Sequence, residues 1–476
     1  MKVLIYVHSP TWFTELSLLG RYLRATGHEP VFFIPDFQHW TMHHIAEQLA
    51  ADGIPCILAC DTPPPRMSWT DAHGLPPSGT ARRFDQRLAS GLRGWLYRTA
   101  PQIEREFRQE LRELGNTVAD ARSLIRAQGA DIVVMGGDNA NYTTAALIEG
   151  SHAEGVPVVL VPSTMSNGLE EAEVYTSDPR YHLNQPPAHL AARLFPQWLY
   201  RHKGLPLLRC PPARLLALET LGIAPPQPWA FNSGFAEVIT AESPAMIDYA
   251  AAAGLPRERM IATGSPSDDA MFTVLQNAPQ ERRRLYEELG LPHDRPMLLT
   301  PLPPDFLYVN GGRPQCDFQT YAQLAKAWLD PLAEQDTFNV VVALHPTVEI
   351  DKMRHLEQPN VRIAARKTLE LVPLCDLYVA SVSSTIRWAI GCGKPVINYD
   401  VYRYRYTDFM NIDAVLFTEE YDEYRGWIRK LAEQPGELEL LRQKQVRNAP
   451  RWGFLDGRCS ERILDVLTDA VQRRAA

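Results

Sequence analysis

The sequence predicts an α/β protein with two doubly wound, Rossmann-like domains, each built on a parallel sheet. Short, continuous apolar runs such as KVLIYV (2–7) and NVVVAL (339–344) are typical of strands buried on both faces. These runs alternate with segments of helical periodicity, and that alternation indicates βαβ units. The chain has 476 residues, too many for one hydrophobic core and right for two or three domains.

The first half opens with a β-α-β unit. Strand 2–7 leads through the turn His8-Ser9-Pro10 into a helix that ends at Gly27, and HEPVFFIPD is the next strand. Further strands are predicted at ADIVVMGG (130–137), VPVVLVPS (156–163), AEVITA (236–241) and RMIATGSP (259–266). Clustered prolines, aromatics and basic residues interrupt this rhythm at 178–215, which predicts an insertion.

The second half repeats the pattern. Strands are predicted at PMLLTPLP (296–303), NVVVAL (339–344), VRIAA (361–365), LYVAS (377–381) and KPVINYD (394–400), followed by a helical tail. We therefore expect an N-terminal acceptor-binding domain over 1–285 and a C-terminal nucleotide-sugar-binding domain over 286–455. A C-terminal helix over 456–476 could return to the N-terminal domain.

Composition and charge narrow the function classes. The chain is 45% hydrophobic and 22% charged with a net charge of -8, which argues against a nucleic-acid partner. The opening MKVLIYVHSP turns polar too soon for a signal peptide, and no long apolar run follows, so we expect a cytoplasmic enzyme. Aromatic and basic residues at 190–203 suit peripheral contact with the inner face of a membrane, or equally a buried packing helix.

Candidate site residues follow the predicted strands, because ligands bind beyond the carboxyl ends of parallel strands. His345, held extended by Pro346, could donate to a phosphate or protonate a leaving group, or could simply pack. Ser383, Ser384 and Thr385 begin a helix, where hydroxyls cap the helix or bind phosphate.

Other residues are weaker candidates for contacts with the donor or acceptor. Gly264 and Ser265 follow a strand and could approach the donor, and His8 and Arg387 could contact a sugar or acceptor. Tyr404 and Arg405 lie in an alternating Tyr-Arg stretch that either meets a sugar carboxylate or forms an exposed edge strand. The segment DGRCSERI (456–463) is a turn into the last helix and could reach a donor phosphate.

Asp138 is the candidate catalytic carboxylate. It follows a strand and two glycines, so it could deprotonate an acceptor hydroxyl or act as a nucleophile. The alternative is a helix N-cap for 142–150. An acidic residue near Glu170 is a rival, although such charge runs are usually solvated.

Four motifs in order resemble a known group of enzymes. GSPSD (264–268), LHP (344–346), SVSST (381–385) and DGRCSERI (456–463) are similar to the bacterial surface-polysaccharide transferases of GT-B architecture. That group includes sialyl- and Kdo-transferases with HP and Ser-Ser/Thr motifs. CDP-glycerol glycerophosphotransferases and, more distantly, UDP-GlcNAc 2-epimerases are related to it.

The resemblance implies a fold, a site and a chemistry. The fold would be GT-B, two facing Rossmann-like domains with an interdomain cleft. His345, Ser383 and Ser384 would contact a CMP phosphate, and an acidic residue of the N-terminal domain, by position Asp138, would act on acceptor or sugar. Such enzymes use no metal and no cofactor. The epimerases carry a glycine- and glutamate-rich segment in place of SVSSTIRWAIG, and the glycerophosphotransferases carry an acidic lead-in that is missing here.

These observations predict a glycosyltransferase of surface-glycan biosynthesis. It would move a sugar, by preference a CMP-activated acidic sugar such as Kdo or a nonulosonic acid, to a glycan or lipid-linked hydroxyl acceptor. The alternatives are a glycerophosphotransferase, a UDP-sugar isomerase or a non-catalytic scaffold.

Overall fold

The computed structural model describes residues 1–35, 40–58, 86–140, 143–161, 168–230, 232, 234–305, 307, 316–344, 348–381 and 383–475. The chain forms two compact units. The first unit contains residues 1–241, 246–263 and 460–476, and the second contains 242–245 and 264–459. Each unit has its own parallel sheet, as the sequence predicts.

The first unit is built on a seven-stranded, wholly parallel sheet with the order β3-β2-β1-β4-β5-β8-β9. Its central strands are completely buried because both faces are covered, which explains their uninterrupted apolar sequences. The strands are β1 (Lys2–Tyr6), β2 (Glu29–Ile34), β3 (Cys56–Leu58), β4 (Ile132–Met135), β5 (Val158–Leu160), β8 (Val238–Ala241) and β9 (Met260–Ala262).

Helices pack against this sheet. The longest, Pro101–Gln128, begins with proline and ends at Gly129, whose φ of 57° provides the left-handed C-cap that a side chain disfavours. The described helices assigned to this unit, wholly or in large part, are Phe13–Ala25, Trp40–Ala51, Gln86–Thr99, Pro101–Gln128, Thr144–Ala153, Gly168–Thr176, Pro186–Leu194, Pro212–Leu221, Pro244–Ala252 and Cys459–Ala475.

The segment predicted as an insertion contains an antiparallel hairpin outside the main sheet. Its strands, β6 (Leu199–His202) and β7 (Leu205–Leu208), turn at Lys203 and Gly204, which both have positive φ. Trp198, one of the aromatics considered for membrane contact, is completely buried in a cluster with the helix Pro212–Leu221, whereas Leu194 is exposed. Within the described ranges, no helix is both long and apolar enough to cross a membrane.

The second unit is built on a six-stranded parallel sheet with the order β12-β11-β10-β13-β14-β15. All the strands predicted for this half are present, and β15 is an additional strand that the sequence analysis missed. The strands are β10 (Met297–Pro301), β11 (Asn339–Ala343), β12 (Val361–Ile363), β13 (Leu377–Ala380), β14 (Val396–Tyr399) and β15 (Val415–Thr418).

The compact units divide between Thr263 and Gly264 rather than at 285/286. The reason lies in the two helices between those positions, which pack beside the short helical segment Thr368–Leu374 of the second unit. Most of the last helix belongs to the first unit, because Ile463 and Leu467 pack into the main core of that unit. The described helices of the second unit are Pro266–Gln276, Ala278–Leu289, Tyr321–Ala333, Ile350–Met353, Thr368–Leu371, Ile386–Gly391, Tyr421–Glu433 and Pro435–Trp452.

Candidate functional site

A cluster of hydroxyl groups follows β13 at the carboxyl edge of the second sheet. Thr385 Oγ1 lies 2.5 Å from the phenol oxygen of Tyr378 and 2.7 Å from Ser383 Oγ. Ser383, Ser384 and Thr385 are all half-buried, and the N-cap residue Thr385 makes no side-chain cap on the following helix. Ser383 Oγ accepts the Thr385 N–H at 3.3 Å. That helix, Ile386–Gly391, has only six residues. The hydroxyls, rather than a long helix, are therefore the groups that this edge can offer to an anion.

Arg387 is buried, whereas a residue that binds a sugar should be accessible from solvent. It is 4% exposed, and its guanidinium donates to Asp268 Oδ1 at 3.1 Å, Ser265 Oγ at 3.1 Å and the carbonyl of Trp452 at 3.2 Å. Because its hydrogen-bonding capacity is directed to protein groups, the expected sugar contact is corrected to a packing role.

Gly264 and Ser265 also have structural partners. Gly264 has a φ of +79°, and a Cβ there would lie 2.3 Å from Cys459 Sγ, so glycine is required by close packing as well as by backbone conformation. Ser265 is the N-cap of the helix Pro266–Gln276 and forms a reciprocal capping box with Asp268. Their expected donor contact is therefore replaced by helix capping and packing.

The stretch that contains Tyr404 and Arg405 is a loop, so the alternative prediction of an edge strand is wrong. Arg403 and Arg405 have φ values of 52° and 59°. The Arg405 guanidinium pairs with Glu419 through contacts of 2.8 and 3.0 Å. The Tyr404 ring stacks on Tyr406 with centroids 5.2 Å apart. Arg405 thus already has a carboxylate partner within the protein.

Two residues central to the predicted site, His345 and Pro346, lie outside the described residues, as does the side chain of Glu170. The strand that precedes them, β11, ends at Ala343 and lies second from one side of the second sheet, between β12 and β10. Their predicted roles at the carboxyl edge stay predictions.

Asp138 lies beyond β4 at the carboxyl edge of the first sheet and is 1% exposed. Its Oδ2 accepts a 2.9 Å hydrogen bond from the backbone N–H of Phe235. The helix that follows begins at Thr144 with Thr143 as N-cap, so the N-cap alternative for Asp138 is wrong. The preceding Gly136 makes room for an indole rather than a ligand, since a Cβ there would lie 2.6 Å from Trp12 Cγ.

A buried polar network that the sequence analysis missed begins at the next residue. Arg209 is 1% exposed and donates to Asn139 Oδ1 at 2.8 Å and to the phenol oxygen of Tyr175. It also pairs with Glu171 at 3.0 Å, and its guanidinium lies 5.5 Å from the Tyr175 ring centroid. Glu171, expected to be part of a solvated face, is instead an ion-pair partner. No local sequence signal identifies Arg209, because its partners are 34 to 70 positions away.

His8 lies at the carboxyl end of β1. Its Nδ1 is 3.2 Å from the Tyr6 hydroxyl, which is also 3.2 Å from Thr143 Oγ1. Burial raises the pKa of Tyr6 well above its ordinary value, whereas the hydrogen bond to Thr143 lowers it. His8 is half-buried and therefore retains access for the expected sugar or acceptor contact.

The turn before the last helix brings Asp269, Asp456 and Cys459 together, with potential ligand atoms within 4.8 Å of one another. Protein contacts account for two of the three. The Cys459 N–H donates to Asp269 Oδ1 at 2.8 Å, and the Cys459 thiol donates to the carbonyl of Phe454 at 3.0 Å. This group therefore packs the turn and supplies no independent argument for a metal.

Two further polar residues at the second carboxyl edge were not selected from the sequence. Ser381 directly follows β13 and Asp400 directly follows β14. The signal that singled out Asp138, a carboxylate immediately beyond a buried strand, also applies to Asp400 within NYD (398–400).

Comparisons with known proteins support the fold. No protein-family model and no curated protein matches the chain. The UDP-GlcNAc 2-epimerase of Neisseria meningitidis, solved with bound UDP-GlcNAc, superposes with a TM-score of 0.54 at 14% identity, covering 98% of this chain and 100% of that one.

Two transferases are also similar in structure. A variant of the wall teichoic acid polymerase TagF superposes with a TM-score of 0.52 at 10% identity, covering 100% of this chain and 90% of that one. A glycotransferase of kitacinnamycin gives 0.50 at 13%, covering 98% of each chain. The chain has the GT-B fold. Likeness at these identities establishes the fold and leaves the activity to be argued from the site.

Proposed function

We propose that the chain is a nucleotide-sugar-dependent glycosyltransferase whose donor phosphate binds the hydroxyls beyond β13. The observation that supports this most directly is the chain of hydroxyls from Tyr378 through Thr385 to Ser383, with successive oxygens 2.5 and 2.7 Å apart. It lies at the carboxyl edge of a parallel sheet, where ligands of open α/β folds bind.

The chemistry follows from charge development on the leaving nucleotide. When the glycosidic bond breaks, negative charge grows on the phosphate, and preorganised hydroxyl donors stabilise that charge at little reorganisation cost. Two hydrogen bonds among Tyr378, Thr385 and Ser383 use two of their three hydroxyl protons. Because hydroxyls rotate, either Ser383 or Thr385 can direct the remaining proton to a phosphate oxygen, and Ser384 can add a second. His345 is proposed, from the sequence, as a further donor to the same phosphate.

The described arginines bear on the sugar. Arg387 is paired with Asp268 and Arg405 with Glu419, so these two guanidinium groups already have carboxylate partners within the protein. A sugar carboxylate can instead accept from serine hydroxyls or backbone N–H groups. We therefore propose the CMP-activated acidic sugar that the resemblance implies as the donor, with a neutral sugar as the competing donor in the same experiment.

Asp138 is proposed to act on the acceptor hydroxyl. A carboxylate general base needs a fixed position and a pKa suited to proton transfer. The hydrogen bond from the Phe235 N–H fixes one carboxylate oxygen of Asp138. Support for this role is thus positional, and a substitution tests it directly.

The first experiment asks whether the folded chain binds nucleotides. Thermal-shift titrations with CMP, CDP, UDP and GDP should raise the melting temperature with at least one of them, because a ligand that binds only the folded state stabilises it. Ser383→Ala combined with Ser384→Ala should weaken that nucleotide at least tenfold. Thr273→Ala, which loses only a hydrogen bond within its own helix, should leave the affinity unchanged.

The second measurement follows the donor and acceptor by mass spectrometry. Free nucleotide together with a glycosylated acceptor indicates transfer, whereas a changed nucleotide sugar indicates isomerisation. Asp138→Asn should bind the nucleotide normally and turn over at least a hundredfold more slowly. The control Asp131→Asn alters a carboxylate at the opposite end of β4, one that accepts the Lys2 N–H, and should retain turnover. Absence of any nucleotide binding by the wild-type chain would overturn the proposed function in favour of a scaffold.

A further inference from the structure

The first sheet has a topological switch point between β1 and β4. From β1 the chain continues to β2 on one side, and from β4 it continues to β5 on the other side. Connections that diverge in this way leave a crevice beyond the carboxyl ends of the two strands, which is where open α/β sheets bind ligands. His8 follows β1, and Thr143 precedes the helix that follows β4.

Side chains from both sides of the switch point form one hydrogen-bonded chain. The Tyr6 hydroxyl lies 3.2 Å from His8 Nδ1 and 3.2 Å from Thr143 Oγ1. Thr143 is the N-cap of the helix Thr144–Ala153, yet its side chain makes no capping hydrogen bond to that helix. Its hydroxyl therefore orients Tyr6 instead of capping the helix.

The His8 ring is held by aromatic neighbours and still reaches solvent. Its centroid lies 6.1 Å from that of Tyr6 and 6.0 Å from that of Trp12. Trp12 is itself fixed, because it is 1% exposed and packs against Gly136 and Gly137 at the end of β4. His8, by contrast, is half-buried. An imidazole that is held in position and accessible in part is suited to binding a ligand.

The hydrogen-bonded chain determines which ring nitrogen carries the proton. Burial raises the pKa of Tyr6, so its phenol keeps its single proton at neutral pH. An imidazole nitrogen is a more basic acceptor than a threonine hydroxyl. We therefore expect Thr143 to donate to the Tyr6 oxygen, and Tyr6 to donate to His8 Nδ1. The proton of the neutral imidazole then lies on Nε2, which can donate a hydrogen bond to a ligand.

We propose that His8 Nε2 donates a hydrogen bond to a hydroxyl group of the acceptor carbohydrate, with Tyr6 and Thr143 as positioning residues. A hydroxyl suits this group because its oxygen accepts from an N–H, whereas a neutral imidazole brings no charge to attract a phosphate. The inference rests on the proposed function, which makes this carbohydrate the acceptor. It adds a residue that selects and orients the acceptor to Asp138, which is proposed to deprotonate it.

The first test locates the imidazole proton in the ligand-free protein. Heteronuclear NMR of the chain with isotope-labelled histidine distinguishes protonated from bare ring nitrogens, and the signals lost in His8→Gln are those of His8. We expect the proton on Nε2. Tyr6→Phe removes the donor to Nδ1 and should shift the tautomer equilibrium toward Nδ1–H. A wild-type imidazole with its proton on Nδ1 would overturn the proposal.

The second test titrates the chain with the methyl glycosides of galactose, glucose and N-acetylglucosamine, and saturation-transfer NMR measures their binding. At least one of these carbohydrates should bind and should shift the His8 Nε2 resonance. His8→Leu should weaken the binding of that glycoside roughly three- to tenfold, because one hydrogen bond is lost. His8→Gln can donate from its amide nitrogen and should restore most of the affinity.

The matched control is His28→Leu. His28 is also half-buried, but it lies at the opposite end of the same sheet, where its Nδ1 is 3.3 Å from the amino group of Met1. This variant should bind the glycoside as the wild type does.

Two outcomes contradict the proposal and leave the proposed function unaffected. In the first, none of the glycosides shifts the His8 resonance, and in the second, His8→Leu binds the glycoside with wild-type affinity. Nucleotide binding is measured separately. A chain that binds a glycoside at His8 but binds no nucleotide would retain this subsite and refute the glycosyltransferase.

Discussion

Each unit of the chain contains a buried arginine, and the two arginines have different surroundings. Arg209 in the first unit pairs with one carboxylate, Glu171, at 3.0 Å, and is further surrounded by Asn139 and Tyr175. Arg387 in the second unit pairs with Asp268 at 3.1 Å and also interacts electrostatically with buried Glu242. One guanidinium thus meets one carboxylate in the first cluster and two in the second.

This difference in charge indicates different roles for the two clusters. In the Arg209 cluster one cation faces one anion, and Arg209 also donates to Asn139, so the cluster acts as a lock: it fixes the position of the loop that carries Asp138 and Asn139. In the Arg387 cluster, burial raises the pKa of both Asp268 and Glu242, and Arg387 opposes the rise in each case. Two carboxyl groups close to one guanidinium repel each other when both are ionised, and protonation of one of them relieves that repulsion.

Removal of the first arginine should have the largest effect. Arg209→Met keeps the volume but leaves Glu171 and Asn139 without their buried partner, which should cost about 3–5 kcal/mol of unfolding free energy. Urea unfolding measures this. The control Arg180→Met breaks an exposed pair with Asp178 and should change stability little. Equal effects of the two substitutions would contradict the interpretation of Arg209 as a lock.

A smaller loss is expected next to the second arginine. Gly264→Ala places a Cβ in a left-handed backbone and against Cys459 Sγ, which should cost about 2–3 kcal/mol. Gly290→Ala has a similar φ, +64°, but open space around it, so backbone strain alone should cost about 1 kcal/mol.

Thermal unfolding of both glycine variants separates packing from strain. Nucleotide affinity of Gly264→Ala should stay at the wild-type value, since the glycine packs against Cys459. A selective loss of affinity in that variant would restore Gly264 to the donor site.

The smallest effect concerns pH. The folded-state pKa of Glu242 is raised above its ordinary value of 4.5. Between those two pKa values the folded chain holds a proton that the unfolded chain has released, so stability falls as pH rises through that window. Glu242→Gln cannot ionise and should be more stable than wild type at neutral pH, with the difference shrinking toward pH 4. A wild-type-like pH profile in this variant would show that folding does not raise the pKa of Glu242.

The fold could be predicted because its signal is local. A strand buried on both faces of a parallel sheet needs a short apolar run, and such runs identified β1, β2, β4 and most strands of the second sheet. The strands β3 and β15 were missed because Cys56–Leu58 is very short and Val415–Thr418 lacks a clear boundary. The hairpin β6–β7 lies where the alternation of strands and helices is interrupted. The sequence predicted that interruption but not the hairpin itself.

The candidate site was predictable only in part. Position beyond a strand pointed to Ser383, Ser384 and Asp138, because the order of residues along one strand fixes which of them reaches the sheet edge. The same reasoning selected Arg387 and Ser265, whose side chains are bound to each other at 3.1 Å inside the protein. Whether a polar side chain meets a ligand or another residue depends on partners remote in sequence.

The sequence by itself determined the two parallel sheets and the positions at which polar residues leave them, since hydrophobic periodicity and strand ends are properties of neighbouring residues. Tertiary structure alone decided which polar groups are satisfied. Arg209 and Arg387 pair with carboxylates 38 and 119 positions away, whereas Ser381 Oγ and Asp400 Oδ1 have no hydrogen-bonding partner among the described residues. Hydrogen bonding and desolvation depend on three-dimensional proximity, and that proximity is set by the packing of the whole unit.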